Sequence, residues 1–217
     1  TSKAKIAGIG LGDVGLPLAV AMAKKFDVIG FDISEARVSE LKAGFDRTEE
    51  VEREKLEAST ITLTTDPAEI KGAAVYIVTV PTPVNDDKSP DLGPVRSSCE
   101  LLGPLMSKGA IVVFESTVYP GVTEELCGPV LEEKSGLKCG RDFYLGYSPE
   151  RINPGDREHT VDKITKVISG QTEEVTGILA EIYGAVTSGR TFAAASIRAA
   201  EAANVIANSP RAIKIAF

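Results

Sequence analysis

Short apolar runs alternate with longer amphipathic stretches along the chain. The runs at residues 5–9, 74–80 and 110–114 are almost wholly apolar, which is typical of strands covered on both faces. Strands separated by helices need crossover connections, so we predict an α/β fold with a Rossmann-like, doubly wound and mostly parallel sheet. The predicted strands are residues 5–9, 28–31, 61–64, 74–80, 110–114, 143–147 and 164–169. The predicted helices are residues 14–24, 35–43, 47–56, 95–106, 123–133 and 173–183, with further helix starts at 66–67 and 196.

Composition and charge exclude several classes of function. The chain has 217 residues, 43% of them hydrophobic and 25% charged, which suits one globular domain with the start of another. The net charge of -7 argues against a nucleic-acid partner, because binding to the phosphate backbone needs a basic surface. No apolar run approaches the roughly 18 residues of a membrane span, so we expect no membrane partner. The first residues show no signal-peptide pattern, and we expect a cytoplasmic protein.

The cysteines and the single histidine do not form a recognisable framework. Cys99, Cys127 and Cys139 are odd in number, and no two of them have CxxC spacing. We therefore expect reduced thiols with structural or surface roles. His159 is the only histidine, which excludes a His-rich metal site, and we expect no bound metal.

A glycine-rich motif links the first predicted strand to the first predicted helix. Gly10, Gly12 and Gly15 form a GxGxxG pattern. The pattern alone is a weak signal, but a strand before it and a helix after it are the context that dinucleotide binding requires. In that context Gly10 allows the tight turn, Gly12 lets the backbone approach a pyrophosphate, and Gly15 lets the helix pack closely. The pyrophosphate would lie at the positive end of the helix dipole.

An acidic residue ends the second predicted strand. Asp32 stands about 20 residues beyond the motif, where a carboxylate accepts hydrogen bonds from ribose hydroxyls and repels a 2′-phosphate. The pattern therefore favours NAD as cofactor over NADP, although a glycine turn with another ligand stays open. Asp13 is unusual, because its charge suits the helix dipole but not a nearby phosphate. The predicted cofactor-binding residues of this region are Gly10, Leu11, Gly12, Asp13, Val14, Gly15, Asp32 and Arg37.

Four sequence blocks, in order, carry a resemblance to a known family. They are GLGDVGLPLAVAMAK, VTVPTPVNDDKSPDL, ESTVYPGVTEE and YSPERINPGD. Together they resemble the UDP-glucose/GDP-mannose dehydrogenase family, and most of all its bacterial and archaeal branch that acts on UDP-N-acetylhexosamines. The resemblance runs from about Lys5 to the end of the chain. Its four blocks are far more specific than the glycine motif alone.

The resemblance implies a reaction and its partners. The family oxidises C6 of a nucleotide sugar twice with NAD, from alcohol to aldehyde to acid. A cysteine thiolate holds the intermediate as a thiohemiacetal and then as a thioester, which is covalent catalysis. We therefore expect an NAD-dependent nucleotide-sugar 6-dehydrogenase with a UDP-sugar substrate, working in surface polysaccharide biosynthesis.

Two of the blocks supply further candidate site residues at the carboxyl edge of the sheet. By resemblance, Val80, Pro81, Thr82 and Ser116 contact the cofactor, and Thr117 lies beside the nicotinamide and places the hydrolytic water. A rigid loop at residues 81–83 and a helix N-cap at Thr117 are the purely structural alternatives.

The block after the sixth predicted strand supplies the candidate substrate-binding residues. Glu150 matches the family's acid near the reacting carbon, a candidate general acid, general base or water-binding group. Arg151, Ile152 and Asn153 would line the sugar pocket. A surface turn with a solvated charge pair is the alternative interpretation.

The last predicted helix resembles the family's central helix. That helix carries a lysine and an asparagine, which stabilise charge on the C6 oxygen. The same helix builds the family's dimer interface. Asn208 matches the asparagine, whereas Asn204 stands at the lysine position and brings no positive charge. We therefore predict a NAD-binding domain at residues 1–189, the start of a central helical domain at residues 190–217, and a homodimer formed through that helix.

The family's nucleophilic cysteine belongs to a later Gly-Gly-x-Cys block, and no cysteine here has that setting. We expect the 217 residues to be a fragment that is inactive alone. Three alternatives stay open. The protein is a UDP-glucose or GDP-mannose 6-dehydrogenase, a β-hydroxyacid dehydrogenase, or a catalytically incomplete NAD-binding unit. The Pro-Thr-Pro and Ser-Pro-Glu-Arg blocks count against the β-hydroxyacid dehydrogenase.

Overall fold

A single sheet of eight strands runs through the protein. The computed structural model describes residues 4–150 and 160–215, with side chains described up to residue 207. The strands are β1 (Lys5–Ile9), β2 (Asp27–Phe31), β3 (Thr62–Thr64), β4 (Val75–Val78), β5 (Ile111–Phe114), β6 (Tyr144–Tyr147), β7 (Lys166–Gly170) and β8 (Thr191–Ala193). Their order is β3-β2-β1-β4-β5-β6-β7-β8.

Helices connect the strands and cover both faces of the sheet. They are α1 (Gly15–Ala23), α2 (Glu35–Lys42), α3 (Arg53–Ala58), α4 (Gly93–Leu102), α5 (Gly128–Ser135), α6 (Glu173–Val186) and α7 (Ile197–Ile215). A π-helical segment, Thr123–Cys127, leads into α5, and short 3-10 turns lie at Pro67–Ile70 and Gly103–Leu105. The side chains of Ser34 and Thr172 cap α2 and α6, as hydroxyl residues commonly do at helix starts.

The topology confirms the predicted Rossmann-like fold. The strands β1 to β6 are mutually parallel, whereas β7 runs antiparallel to β6 and β8 runs parallel to β7. The chain moves from β1 outward to β2 and β3, and then returns to place β4 on the other side of β1. This reversal opens a crevice at the carboxyl ends of β1 and β4, which is where ligands bind in such sheets.

Two apolar clusters pack on opposite faces of the sheet. Alternate residues of each strand point to opposite faces, so Ile77 and Val113 join α1 and α6 while Val78 and Val112 join α4 and α5. Burial on both faces explains the nearly continuous apolar runs in the sequence.

Two parts of the local prediction need correction. The strand β8 was not predicted, because its three residues carry no alternating pattern and lie at the sheet edge. The predicted helix at residues 47–56 is also wrong at its start, since α3 begins only at Arg53. The side chain of Asp46 accepts hydrogen bonds from the backbone N–H groups of Thr48, Glu50 and Val51, which holds this segment in a loop.

No helix in the described part of the chain is long and apolar enough to cross a membrane. Within the same residues, no group of three His, Cys, Asp or Glu side chains could hold a metal ion. The three cysteines are free; Cys99 and Cys127 are buried, and Cys139 is half-buried.

Candidate functional site

The three glycines of the turn between β1 and α1 lie in three different steric environments. Gly10 has a φ of 96°, a left-handed conformation that glycine adopts without strain. A Cβ on Gly15 would lie 2.0 Å from the Gly10 carbonyl oxygen, so a side chain cannot fit between helix and turn. A Cβ on Gly12 would meet no atom within 4 Å. Open space therefore lies beside the backbone at the position where the motif places a pyrophosphate.

The start of α1 offers backbone donors next to that open space. Val14 is its N-cap and forms no side-chain capping hydrogen bond, and the first turn contains no acidic residue. The side chain of Asp13 is exposed, outside the helix proper. Uncapped N–H groups at a helix N-terminus bind anionic groups such as phosphate.

Asp32 follows β2 and braces the glycine-rich turn. One carboxylate oxygen, Oδ2, accepts a hydrogen bond of 2.9 Å from the backbone N–H of Leu11, and Oδ1 accepts one of 2.9 Å from Ser34. Each oxygen can accept a second hydrogen bond. The carboxylate therefore holds the turn and keeps the capacity to accept further hydrogen bonds.

Arg37 supports the same turn from inside the protein. Its side chain is buried, and Nε donates a 2.7 Å hydrogen bond to the carbonyl oxygen of Leu11. The other nitrogens pair with Glu40 at 2.6 Å and with Asp46 at 2.8 Å. The peptide groups of Leu11 are thus held by Asp32 on one side and by Arg37 on the other. Direct contact between Arg37 and the cofactor stays a prediction.

The loops after β4 and β5 are joined at the same edge of the sheet. The hydroxyl of Thr79 lies 3.1 Å from the carbonyl oxygens of Ile9 and Gly10, which ties the β4 loop to the glycine-rich turn. Ser116 Oγ donates a 2.5 Å hydrogen bond to the carbonyl oxygen of Val80. Beyond Val80, Pro81 is exposed and Thr82 is half-buried.

Thr117 lies exposed beside Ser116 and does not cap a helix. The following helical segment begins at Thr123, and its N-cap is Val122. The alternative interpretation of Thr117 as a helix N-cap is therefore wrong, and the residue is exposed just beyond β5.

A buried charged cluster lies beside Glu150, and the sequence analysis missed it. The ammonium group of Lys166 lies 2.6 Å from Glu115 Oε1 and 3.6 Å from Glu150 Oε2. The hydroxyl of Tyr183 donates a 2.6 Å hydrogen bond to Glu115 Oε2. The only sequence signal was an acidic residue at position 115 directly after the apolar run of β5. The partners come from β7 and α6, which are distant in the sequence.

Burial and neighbouring charge act in opposite directions on the cluster. Burial by itself lowers the pKa of Lys166, but the carboxylates of Glu115 and Glu150 outweigh it and the pKa is raised. The lysine is therefore an ammonium ion at neutral pH. Burial, together with the Glu115 carboxylate, raises the pKa of Tyr183 well above its ordinary value, so its hydroxyl remains a donor.

The start of α7 is hydrogen-bonded to the β5 loop. Asn204 is 2% exposed, and its Nδ2 donates a 3.1 Å hydrogen bond to the hydroxyl of Tyr147. That hydroxyl in turn donates a 3.1 Å hydrogen bond to the carbonyl oxygen of Ser116. The buried carboxylate of Glu201 accepts hydrogen bonds from the backbone N–H groups of Gly121 and Thr123. The structure thus brings Asn204 close to the segment that carries Thr117.

Four predicted site residues lie wholly or partly outside the described residues. Arg151, Ile152 and Asn153 lie outside the described residues, and Asn208 belongs to α7 but its side chain lies outside the described set.

A family model described as the UDP-glucose/GDP-mannose dehydrogenase family, NAD binding domain, matches residues 4–187. The chain belongs to the UDP-glucose/GDP-mannose dehydrogenase family. NAD is therefore its cofactor, and the geometry fits this dinucleotide. Open space adjoins Gly12, backbone donors begin α1, and a carboxylate that disfavours a 2′-phosphate stands at Asp32.

Several members of this family are similar to the chain over nearly its whole length. Protein CapL of Staphylococcus aureus is 52% identical, in a match that covers 98% of this chain and 50% of that protein. A UDP-N-acetyl-D-glucosamine 6-dehydrogenase of Pseudomonas aeruginosa is 50% identical, with 98% of this chain covering 51% of that protein. The chain therefore spans about half the length of the relatives it matches.

A solved structure in the family has the same fold. The structure of a UDP-D-ManNAc dehydrogenase from Pyrococcus horikoshii matches with a TM-score of 0.88 at 32% identity. The match covers 98% of this chain and 51% of that one.

Two cysteines of this family member, Cys127 and Cys139, are poor candidates for a nucleophile. The adjacent Cys99 thiol and burial raise the pKa of Cys127 far above its ordinary value, and burial raises the pKa of Cys139. A thiol with a raised pKa stays protonated at neutral pH, whereas catalysis needs the thiolate.

Proposed function

We propose that the whole protein oxidises C6 of a UDP-N-acetylhexosamine to the uronic acid with two NAD-dependent hydride transfers, for surface polysaccharide biosynthesis. The observation that carries the proposal is the 50% and 49% identity, over 98% of this chain, to two proteins named UDP-N-acetyl-D-glucosamine 6-dehydrogenase. The position of Glu150, Thr117 and Asn204 near one edge of the sheet supports it.

On the cofactor side, bound NAD supplies the hydride acceptor. The backbone at Gly10, Gly12 and the start of α1 holds the pyrophosphate, and Asp32 accepts hydrogen bonds from ribose hydroxyls. Val80, Pro81, Thr82 and Ser116, in the loops after β4 and β5, would hold the nicotinamide half of the cofactor. Asp13 and Arg37 flank and support this site.

On the substrate side, the assigned groups surround the C6 position. Glu150 accepts a proton or binds the hydrolytic water, and Thr117 orients that water with its exposed hydroxyl. Arg151, Ile152 and Asn153 contact the sugar. Asn204 and Asn208 donate hydrogen bonds that stabilise charge on the C6 oxygen, with less electrostatic stabilisation than a lysine would give.

A second candidate function is an NAD-binding unit without dehydrogenase activity. The observation in its favour is the amide of Asn204, which is buried against Tyr147 and carries no charge where the resemblance implies a cation.

The domain division near residue 189 and a homodimer formed through α7 are further parts of our proposal. A cytoplasmic location accords with the free cysteines and with the use of NAD.

The test is an activity screen of the full-length protein with NAD and a panel of sugars. The panel contains the UDP-N-acetyl derivatives of glucosamine, galactosamine and mannosamine, together with UDP-glucose and GDP-mannose. We expect two NADH per UDP-N-acetylhexosamine consumed, with the uronic acid identified by mass spectrometry. In a Glu150→Gln variant we expect kcat to fall about a hundredfold and to stay measurable. Preferential oxidation of UDP-glucose or GDP-mannose would replace the proposed substrate. NAD binding by calorimetry without any NADH formation would establish the second candidate.

A further inference from the structure

We propose that Lys166 is a positioning residue that holds the Glu150 carboxylate in place for the reaction, with Glu115 and Tyr183 fixing the ammonium group. This inference rests on the proposed function, because that function assigns Glu150 to the reacting centre. None of Lys166, Glu115 and Tyr183 reaches the crevice directly, since all three side chains are buried.

The ammonium group of Lys166 is attached to both the backbone and the side chain of the Glu150 turn. Lys166 opens β7, and Nζ donates a 3.2 Å hydrogen bond to the carbonyl oxygen of Pro149. The same nitrogen lies 3.6 Å from Glu150 Oε2. Two contacts from one cation restrict both the path of the chain after β6 and the direction of the carboxylate.

The opposite side of the cluster fixes the lysine itself. Glu115 Oε1 lies 2.6 Å from Lys166 Nζ, and Glu115 Oε2 accepts the hydroxyl hydrogen bond of Tyr183. The ammonium also lies 5.6 Å from the centroid of the Tyr183 ring, within the range of a cation–π interaction. The lysine position is therefore set by groups from β5 and α6, independently of Glu150.

Exposure separates the roles of the two carboxylates. The Glu115 side chain is 0% exposed and that of Lys166 is 2% exposed, whereas 18% of the Glu150 side chain is exposed. A buried carboxylate is costly unless it is paired, so Glu115 serves to hold the lysine. Glu150 is the end of the cluster that can meet substrate. Lys166 is too deeply buried to supply the cation that is missing at Asn204.

A purely structural role for Lys166, as a buried ion pair that joins three strands, makes a different prediction from positioning. If the lysine acts through Glu150, the loss of kcat on removing the lysine depends on the presence of the Glu150 carboxylate. If the lysine only joins the strands, the loss of kcat is the same with or without that carboxylate. A double-mutant cycle measures this dependence.

The experiment uses the full-length protein with NAD and UDP-N-acetylglucosamine. We expect Lys166→Met to lower kcat about tenfold or more, because a small displacement of a reacting group has a large effect on rate. In a Glu150→Gln background the same substitution should change kcat less than about twofold. The Kd for NAD should stay unchanged in all variants, and Lys166→Arg should recover part of kcat because it keeps the charge.

Two further variants separate positioning from loss of folding. Lys166→Met leaves the buried Glu115 carboxylate without its cation, so the double variant Glu115→Gln/Lys166→Met removes the cation without leaving an uncompensated buried charge. It should show the same loss of kcat while remaining folded by circular dichroism. Ile182→Ala, a core truncation in α6, is the control for destabilisation and should lower the melting temperature with unchanged kcat.

An equal loss of kcat in both Glu150 backgrounds, or no loss at all, would overturn the proposal. A crystal structure of the double variant gives a readout that does not need activity. A displaced Glu150 carboxylate supports positioning, and a carboxylate that keeps its place contradicts it. If the wild-type protein oxidises no nucleotide sugar, the proposed function fails, and this crystal structure still decides what Lys166 does.

Discussion

Two glycines of the same motif impose different requirements on the protein. Gly15 is required by the fold, because a Cβ there would lie 2.0 Å from the Gly10 carbonyl oxygen and 2.3 Å from the Thr79 hydroxyl. Gly12 has no such neighbour, so its lack of a side chain serves the ligand and not the fold. The sequence motif treats both positions alike, and the packing around them separates their roles.

A pair of alanine substitutions distinguishes these roles. We expect Gly12→Ala to leave the free energy of unfolding within about 0.5 kcal/mol of wild type and to weaken NAD binding about tenfold or more. Gly15→Ala should lower the free energy of unfolding by about 3 kcal/mol, since turn and helix must move apart. Urea unfolding and calorimetry measure the two quantities. Equal effects of both substitutions on stability would refute this division.

At the scale of elements, the segment between α2 and α3 supports the cofactor turn from a distance. Its polar sequence resembles an exposed helix, but Asp46 turns inward and accepts hydrogen bonds from the backbone around it. The same carboxylate pairs with Arg37, which donates to the carbonyl oxygen of Leu11. A loop that the sequence analysis predicted in part as a helix is thereby connected to the NAD site.

The pH dependence of stability tests this connection. Burial by itself raises the pKa of Asp46, but hydrogen bonds from Thr48 and Arg37 outweigh it and the pKa lies below its ordinary value. Because the pKa is lower in the folded state, the stabilisation is complete above the unfolded value of about 3.9. It is lost as the pH falls from there through the folded-state pKa.

We therefore expect Asp46→Asn to lower the free energy of unfolding by about 2 kcal/mol at neutral pH. The difference from wild type should shrink as the pH falls below about 4. Chemical denaturation over a series of pH values measures it, with Asp27→Asn at the exposed start of β2 as control. A difference that is constant with pH would show that Asp46 does not act through its charge.

At the scale of the whole molecule, α7 has an apolar surface in addition to its contacts with the NAD domain. Asn204 and Glu201 face Tyr147 and the β5 loop, whereas Ile206 is 70% exposed and Val205 is 38% exposed. Exposed neighbouring apolar side chains commonly mark an interaction surface. This surface accords with the proposed homodimer formed through the central helix.

A charged substitution on that surface tests the homodimer. We expect Ile206→Asp in the full-length protein to raise the dimer dissociation constant about tenfold or more, because a buried unpaired carboxylate is costly. Phe45→Asp is the control, since Phe45 is also exposed but lies after α2, far along the chain from α7. Sedimentation velocity over a range of concentrations distinguishes monomer from dimer. An unchanged dissociation constant for Ile206→Asp would place the interface elsewhere.

The sequence by itself determined the class of fold, the family and the NAD motif. These depend on local patterns: apolar runs that become buried strands, glycines at fixed spacing, and an acid after the second strand. It also placed Glu150, Thr117 and Asn204 among the candidate site residues. Thr117 and Glu150 lie in two of the four blocks, whose order along the chain is itself informative, and Asn204 lies in the last predicted helix.

Only the tertiary structure decided which residues support the site. The cluster of Glu115, Lys166 and Tyr183 draws on β5, β7 and α6, and no local pattern records a contact between residues so far apart in sequence. The inward turn of Asp46 was equally hidden, because a charged residue in a polar segment is usually solvated. Burial makes these charges pair, and burial is a property of the packed molecule.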